Sequence, residues 1–152
     1  MTYKTILVPI DGSKMADKAF KHGLSLAKIL HAELLLLTII PENVVPVGAS
    51  RTWVHPSMVR RNVRDILTLA RQEATDFLDK KMGECEKNEV KASYKILEGD
   101  TASKIKETAH KKKVDLIIMG SVGLTGIKKL GALGSVSRKV SENVSCHVLI
   151  IR

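Results

Sequence analysis

Short, almost wholly apolar runs alternate along this chain with longer stretches in which apolar residues return every three or four positions. The runs include Thr5-Ile6-Leu7-Val8, Leu34-Leu35-Leu36-Leu37, Leu116-Ile117-Ile118-Met119 and Val148-Leu149-Ile150-Ile151. A run with no polar alternation suits a strand buried on both faces, so strands are predicted over 4–10, 33–40, 114–119 and 145–151. Leucine also suits helices, but the leucine run is short and Pro41 closes it. The stretch 92–97 is different: Ser93 and Lys95 alternate with Tyr94 and Ile96, which predicts one exposed face or a sheet edge.

The longer stretches carry the helical period. Ala16, Ala19, Phe20, Gly23, Leu24, Ala27 and Leu30 form one stripe of a helix that Ser13 can cap and that runs to about His31. Gly23 lowers helix propensity, so close packing is expected there. Val59, Val63, Ile66, Leu67, Ala70, Ala74, Phe77, Leu78 and Met82 predict one long helix from Ser57 to about Asn88. A short helix follows, with Asp100 as its cap, Ala102, Ile105 and Ala109 facing inward, and Lys111-Lys112-Lys113 at the end where cations suit the macrodipole. A last helix covers about 135–143. Strand and helix thus alternate from end to end. That predicts a single α/β domain over 1–152: a doubly wound, five-stranded parallel sheet in the order 3-2-1-4-5 with helices on both faces. In such sheets ligands bind beyond the carboxyl ends of the strands where the order reverses, here between the first and the fourth.

Composition narrows the function. Hydrophobic residues make up 44% of the chain and aromatic ones only 3%, so the core is aliphatic and base-stacking platforms are scarce. No apolar run is long enough to span a bilayer, and the first residues lack a signal peptide's apolar core. Cys85 and Cys146 have no metal spacing and no CxxC, which points to a reducing cytoplasm. The net charge of +9 suits anionic ligands. Its plainer reading, a solvated surface, is preferred because the basic residues are dispersed; nucleic acid ranks last among partners. The irregular stretch 41–56 is long for a loop and carries Trp53, read as an anchor over apolar surface rather than a base-stacking residue. Arg60, Arg61 and Arg64, just beyond it, face solvent or reach toward a ligand.

The candidate chemistry gathers after the fourth strand. Five of the ten glycines lie between Gly120 and Gly134. Strand, glycine loop and helix start form an arrangement that binds phosphate: glycines let a backbone approach the ligand and take positive φ, and helix-start amides face the anion. The plainer alternative is that the glycines only make turns. Ser121, Ser135 and Ser137 could add hydroxyl donors, and Lys128 and Lys129 could add charge. The loop is neither a dinucleotide fingerprint nor a Walker A sequence. Asp11, just past the first strand, could accept from a ribose hydroxyl or an adenine amine, help hold a metal, or simply form an Asx turn. The five histidines have no ligand spacing and no nucleophile elbow occurs.

Ile6-Leu7-Val8-Pro9-Ile10-Asp11-Gly12-Ser13, Asp115 through Ser121 with Gly123, Gly134-Ser135-Val136-Ser137 and Cys146-His147-Val148-Leu149-Ile150 together resemble the universal stress protein family over essentially the whole chain. The resemblance implies an adenine-nucleotide-binding regulatory domain, with ATP, ADP or AMP as ligand and Mg²⁺ or Mn²⁺ alongside it. It also implies a homodimer joined through the last strand, Cys146 to Ile151. Carried over, Pro9, Ile10 and Asp11 adjoin the nucleoside, with Asp11 the one candidate metal contact, and Ile39 meets adenine through its backbone. Met119, Gly120, Gly123, Gly134, Ser135, Val136 and Ser137 hold ribose and phosphates. There is no evident general base, so any hydrolysis is expected to be slow; a dimerisation module without nucleotide and a slow metal-dependent ATPase are the rival readings. Two departures from the family pattern stand out. Ten residues, Leu124 to Leu133, separate Gly123 from Gly134 where the pattern has nine, and His147 stands where proline is common.

Overall fold

The computed structural model describes residues 2–42, 63–124 and 133–152. Among these residues the elements are β1 (Thr5–Pro9), α1 (Lys14–Leu30), β2 (Glu33–Ile40), α2 (Val63–Lys87), β3 (Ala92–Glu98), α3 (Thr101–Lys111), β4 (Leu116–Gly120), α4 (Ser135–Asn143) and β5 (His147–Ile151). The five strands pair in parallel in the order β3-β2-β1-β4-β5, as the alternation of periods predicts.

The unbroken apolar runs work as two interleaved sets. Ile6, Val8, Leu34, Leu36, Leu116 and Ile118 face one side of the sheet with Phe20 and Leu78 of α1 and α2. Leu7, Leu35, Leu37, Ile117 and Met119 face the other, with Ile105 of α3 and Val140 of α4. Consecutive strand side chains point to opposite faces, so a strand covered on both sides must be apolar at every position. This resolves the leucine run: Leu34, Leu36 and Leu37 are fully buried, and helices cover the sheet on both faces. Gly23 is where α1 presses on the sheet. A Cβ there would lie 2.8 Å from Val8 Cγ2 and 3.3 Å from Leu34 Cδ1.

Local signals set the element ends. Ser13 Oγ accepts from the Ala16 amide at 3.1 Å and caps α1, which ends at His31 in the left-handed conformation. Asp100 accepts from the Ser103 amide at 2.9 Å and caps α3. Two strands start later than their sequence suggests. Asp115, inside the predicted fourth strand, instead uses its carboxylate to accept from the Lys4 and Thr5 amides at 2.8 and 2.9 Å, and regular pairing begins at Leu116. Pairing of β5 accordingly begins at His147. β3 is an edge strand with Lys95 exposed, as its alternation predicts. The first turns of the predicted long helix, with Val59, Arg60 and Arg61, and the 41–56 stretch beyond Glu42, with Trp53, lie outside the described residues. Among the described residues no helix is long and apolar enough to cross a membrane.

Among the described residues one cation is buried, and it is a packing device. Lys81 of α2 is buried, with its ammonium 2.7 Å from Asp17 Oδ1 and 2.9 Å from Glu84 Oε1. It also lies 4.6 Å from the centroid of the Phe20 ring. Burial works against its charge, but the bonds to Asp17 and Glu84 outweigh that and raise its pKa. The Lys81 bond leads the effects that hold the Asp17 carboxyl below its ordinary range. The trio fastens α2 to α1.

Candidate functional site

The site is built where β1 and β4 lie side by side and their onward connections diverge. At the end of β1 the chain is tied to β2: the Ile10 amide donates to the Leu37 carbonyl at 2.9 Å, and the Thr38 hydroxyl donates to the Ile10 carbonyl at 2.9 Å. Asp11 emerges exposed from this anchored end. Its Oδ1 accepts from the Ser13 amide at 2.9 Å, which is an Asx turn. Its Oδ2 accepts from the Leu124 amide at 3.3 Å, in the glycine loop. Asp11 thus makes the Asx turn with one oxygen and meets the glycine loop with the other. Between Asp11 and the helix, Gly12 takes φ +80°, a conformation that favours glycine.

At the end of β4 the Ser121 amide donates to the Ile151 carbonyl at 2.8 Å, the last rung toward β5. The Ser121 carbonyl accepts twice, from the Gly134 amide at 2.7 Å and from the Ser137 hydroxyl at 2.8 Å. The two ends of the glycine loop are thus fastened at one carbonyl. Helix α4 starts immediately beyond, with Gly134 as a cap residue that supplies no side-chain bond. Its first-turn amides have no intrahelical acceptor by the geometry of any helix start, and so can meet an anion.

Gly120, Gly123 and Gly134 each have a close neighbour within the protein. A Cβ on Gly120 would lie 2.7 Å from Met15 Cβ and 3.0 Å from the Met15 carbonyl carbon; one on Gly123 would lie 2.8 Å from Asp11 Oδ2; one on Gly134 would lie 3.2 Å from the Ser121 carbonyl oxygen. The expected positive φ is absent from all three; among the described glycines it occurs at Gly12 and Gly99. These glycines let α1, Asp11 and the loop base come together.

The structure therefore brings Asp11, Gly120, Gly123, Gly134 and Ser137 into one connected assembly. Pro9 and Ile10 sit at the end of β1, and buried Met119 precedes Gly120 in β4. Ser135 is exposed and Val136 half-buried on the first turn of α4. Ile39 lies half-buried near the end of β2, in register with Leu97 of β3. Lys128, Lys129 and Gly131 lie outside the described residues. Sequence reasoning missed Thr38, the Leu124 amide and the Ser121 carbonyl. The two backbone groups carry no side-chain signature, whereas a threonine inside an apolar strand was a readable clue. Among the described residues no three His, Cys, Asp or Glu side chains gather as a metal cage, so a metal beside Asp11 would need ligands from elsewhere, such as a nucleotide's phosphates.

A doubly wound parallel sheet with a carboxylate at one strand end and a glycine-rich connection after the neighbouring one defines a class of small α/β domains. The family profile described as "Universal stress protein family" matches residues 2–152, and the chain belongs to that family. It is 34% identical over 151 residues to universal stress protein MJ0531 of Methanocaldococcus jannaschii, covering 99% of this chain and 82% of the relative. It is also 34% identical over 150 residues to universal stress protein YxiE of Bacillus subtilis, covering 99% of each. The solved structure of UspA from Lactobacillus plantarum shares the fold at a TM-score of 0.84 with 23% identity, over 100% of this chain and 99% of that one. More distant family structures include one in complex with cAMP, one from Archaeoglobus fulgidus with dAMP and one from Arabidopsis thaliana with AMP bound.

Proposed function

We propose that this protein binds an adenine nucleotide, ATP or its shorter forms AMP and ADP, at the paired ends of β1 and β4, and that it works in the cytoplasm as a nucleotide-dependent, dimeric regulator of a stress response. The observation that carries this reading is the two-sided engagement of Asp11. One carboxylate oxygen is held by the α1 turn, and the other reaches the glycine loop across a weak 3.3 Å contact that a ribose hydroxyl could replace. The uncapped start of α4 gives phosphates their amide donors, and the nucleotide-bound relatives lend the reading support. In this reading Pro9, Ile10, Asp11, Ile39 and Met119 surround the nucleoside. Gly120, Gly123, Gly134, Ser135, Val136 and Ser137 form the ribose and phosphate side, with Gly134 shaping the loop, since its amide is already bonded. Mg²⁺ or Mn²⁺ would arrive with the phosphates. Homodimerisation is assigned to β5, an edge strand whose Leu149 is 38% exposed.

Mass spectrometry of the denatured, freshly purified protein, with calorimetric titration of ATP, ADP and AMP, tests the ligand; light scattering tests the dimer. Bound adenine nucleotide, or saturable heat with one of the three, is expected. No nucleotide carried through purification and no heat at millimolar ATP would overturn the reading. One observation favours a second reading, a dimerisation module without nucleotide: Gly120, Gly123 and Gly134 are each already accounted for by contacts within the protein. In that case the dimer persists while every titration is flat.

A further inference from the structure

Helices α1 and α2 pack side by side on one face of the sheet, and a cleft of about 450 Å³ opens between them next to the Gly12-Ser13 turn. Lys14, Lys18 and Lys21 line it from α1, at the spacing that puts one side chain above another on a single helix face. All three are exposed. Half-buried Phe77 contributes an aromatic ring from the α2 side.

The charges in the cleft are unbalanced. Among the described residues its one carboxylate, Asp17, is engaged by Lys81 at 2.7 Å and by Lys21 at 3.0 Å. Among the described residues neither Lys14 nor Lys18 has an ion-pair partner. Lys14 is moreover the first residue of α1, where the macrodipole disfavours a cation and favours an acid. A lysine there forgoes the small benefit an acid would bring to the helix start and leaves a cation beside the cleft.

We propose that this cleft docks an acidic peptide segment of a partner protein. The carboxylates of the segment meet Lys14 and Lys18, and an apolar side chain seated among them covers Phe77. Charge complementarity and the ring select this occupant over a nucleic acid. A phosphate backbone gains nothing from Phe77, whereas a peptide supplies both acid and apolar groups. The cleft adjoins the Asp11 turn through Gly12 and Ser13, but its lysines and Phe77 are not among the residues assigned to the nucleotide, so the proposal does not depend on nucleotide binding.

The test uses the full chain and a fluorescein-labelled peptide, Asp-Glu-Leu-Glu-Glu-Asp, at about 0.15 M salt, where the Debye length is about 8 Å. Anisotropy should show saturable binding, with amide shifts in an isotope-labelled sample centred on Lys14, Lys18 and Phe77. The Lys14→Glu/Lys18→Glu double variant should bind at least about tenfold more weakly. Circular dichroism and a thermal melt of the double variant, expected to match the parent fold at the assay temperature, separate that loss from unfolding. Replacing the peptide's leucine with serine should also weaken binding. Lys28→Glu, on the same helix outside the cleft, should leave it within about twofold, since screening confines exposed charges to short range. The proposal is overturned by the absence of saturable binding, by an equal loss in Lys28→Glu, by shifts centred elsewhere, or by a random-sequence DNA duplex that displaces the peptide through the same two lysines.

Discussion

Alanine at Gly120 and alanine at Gly83 should change stability in opposite directions. At Gly120 the new methyl would lie 2.7 Å from Met15 Cβ, 3.0 Å from the Met15 carbonyl carbon and 3.2 Å from the Ala16 amide nitrogen. Two of these atoms belong to the backbone of α1, whose first turn is held by the Ser13 cap, so no rotamer change relieves the contact. Overpacking of this kind costs about 1–3 kcal/mol, and the stiffer unfolded chain returns about 0.4–1 kcal/mol of that. The net loss is about 1–2 kcal/mol, or roughly 2–8 °C in Tm for a chain of this size. Gly83 lies inside α2 with nothing within 4 Å of its would-be Cβ. There alanine only improves helix propensity and should add about 0.5–1 kcal/mol, or roughly 1–4 °C. Differential scanning calorimetry of both variants without nucleotide, with urea titration as a check, reads the two signs directly. If Gly120→Ala melts with the parent protein, the close approach of α1 to the end of β4 is not what demands glycine, and a ligand's requirement takes its place.

Other outcomes follow from the same contacts. Asp11→Asn keeps an oxygen for the Ser13 amide but loses the acceptor facing Leu124. It should melt near the parent protein while nucleotide affinity in calorimetric titration falls about tenfold or more, the usual effect of losing a charged hydrogen bond. The folded-state pKa of Asp17 lies below its ordinary 3.8, so its ion pairs add stability above that value and lose it as pH falls through the lower, folded one. In urea melts from pH 6 down to pH 2, Asp17→Asn should flatten the acid limb. Lys81 works in the opposite sense, with its folded pKa above 10.5. Its contribution is complete below 10.5 and disappears as pH climbs past the folded value, so Lys81→Met should flatten the alkaline limb. The Cys85 thiol is pushed up to about 11, by burial first and the Glu84 carboxylate second. At pH 8 in the native protein it should resist iodoacetamide, then react promptly in guanidinium, as peptide mass mapping would show.

Much of the fold was legible because its signals are local and agree with one another. The unbroken runs at Ile6, Leu35 and Ile117 are the signature of strands covered on both sides, and Ser13, Asp100 and Gly23 behave as their residue types suggest. The Lys81 fastening was not legible, because a lysine on a helix looks solvated until its two carboxylates are in place. Asp115 was missed for a related reason: one polar residue in an apolar run gives no hint that it serves the amides of a strand over a hundred residues away. In the candidate site, the location and the residue types could be read, but not the reason for the glycines. Sequence shows that a side chain is absent; only the fold shows whether a ligand, a helix or a carboxylate uses the space.

The double acceptance by the Ser121 carbonyl has a consequence for how this family can vary. With the Gly134 amide and the Ser137 hydroxyl both fastened to that one oxygen, the span from Val122 to Leu133 leaves and rejoins the domain at a single fixed gate. The entropy of closing a tethered segment grows only logarithmically, by about 0.6 kcal/mol for a doubling of length. One residue more between Gly123 and Gly134 therefore changes the energy of closure little, and the tie at the Ser121 carbonyl is the same for either spacing.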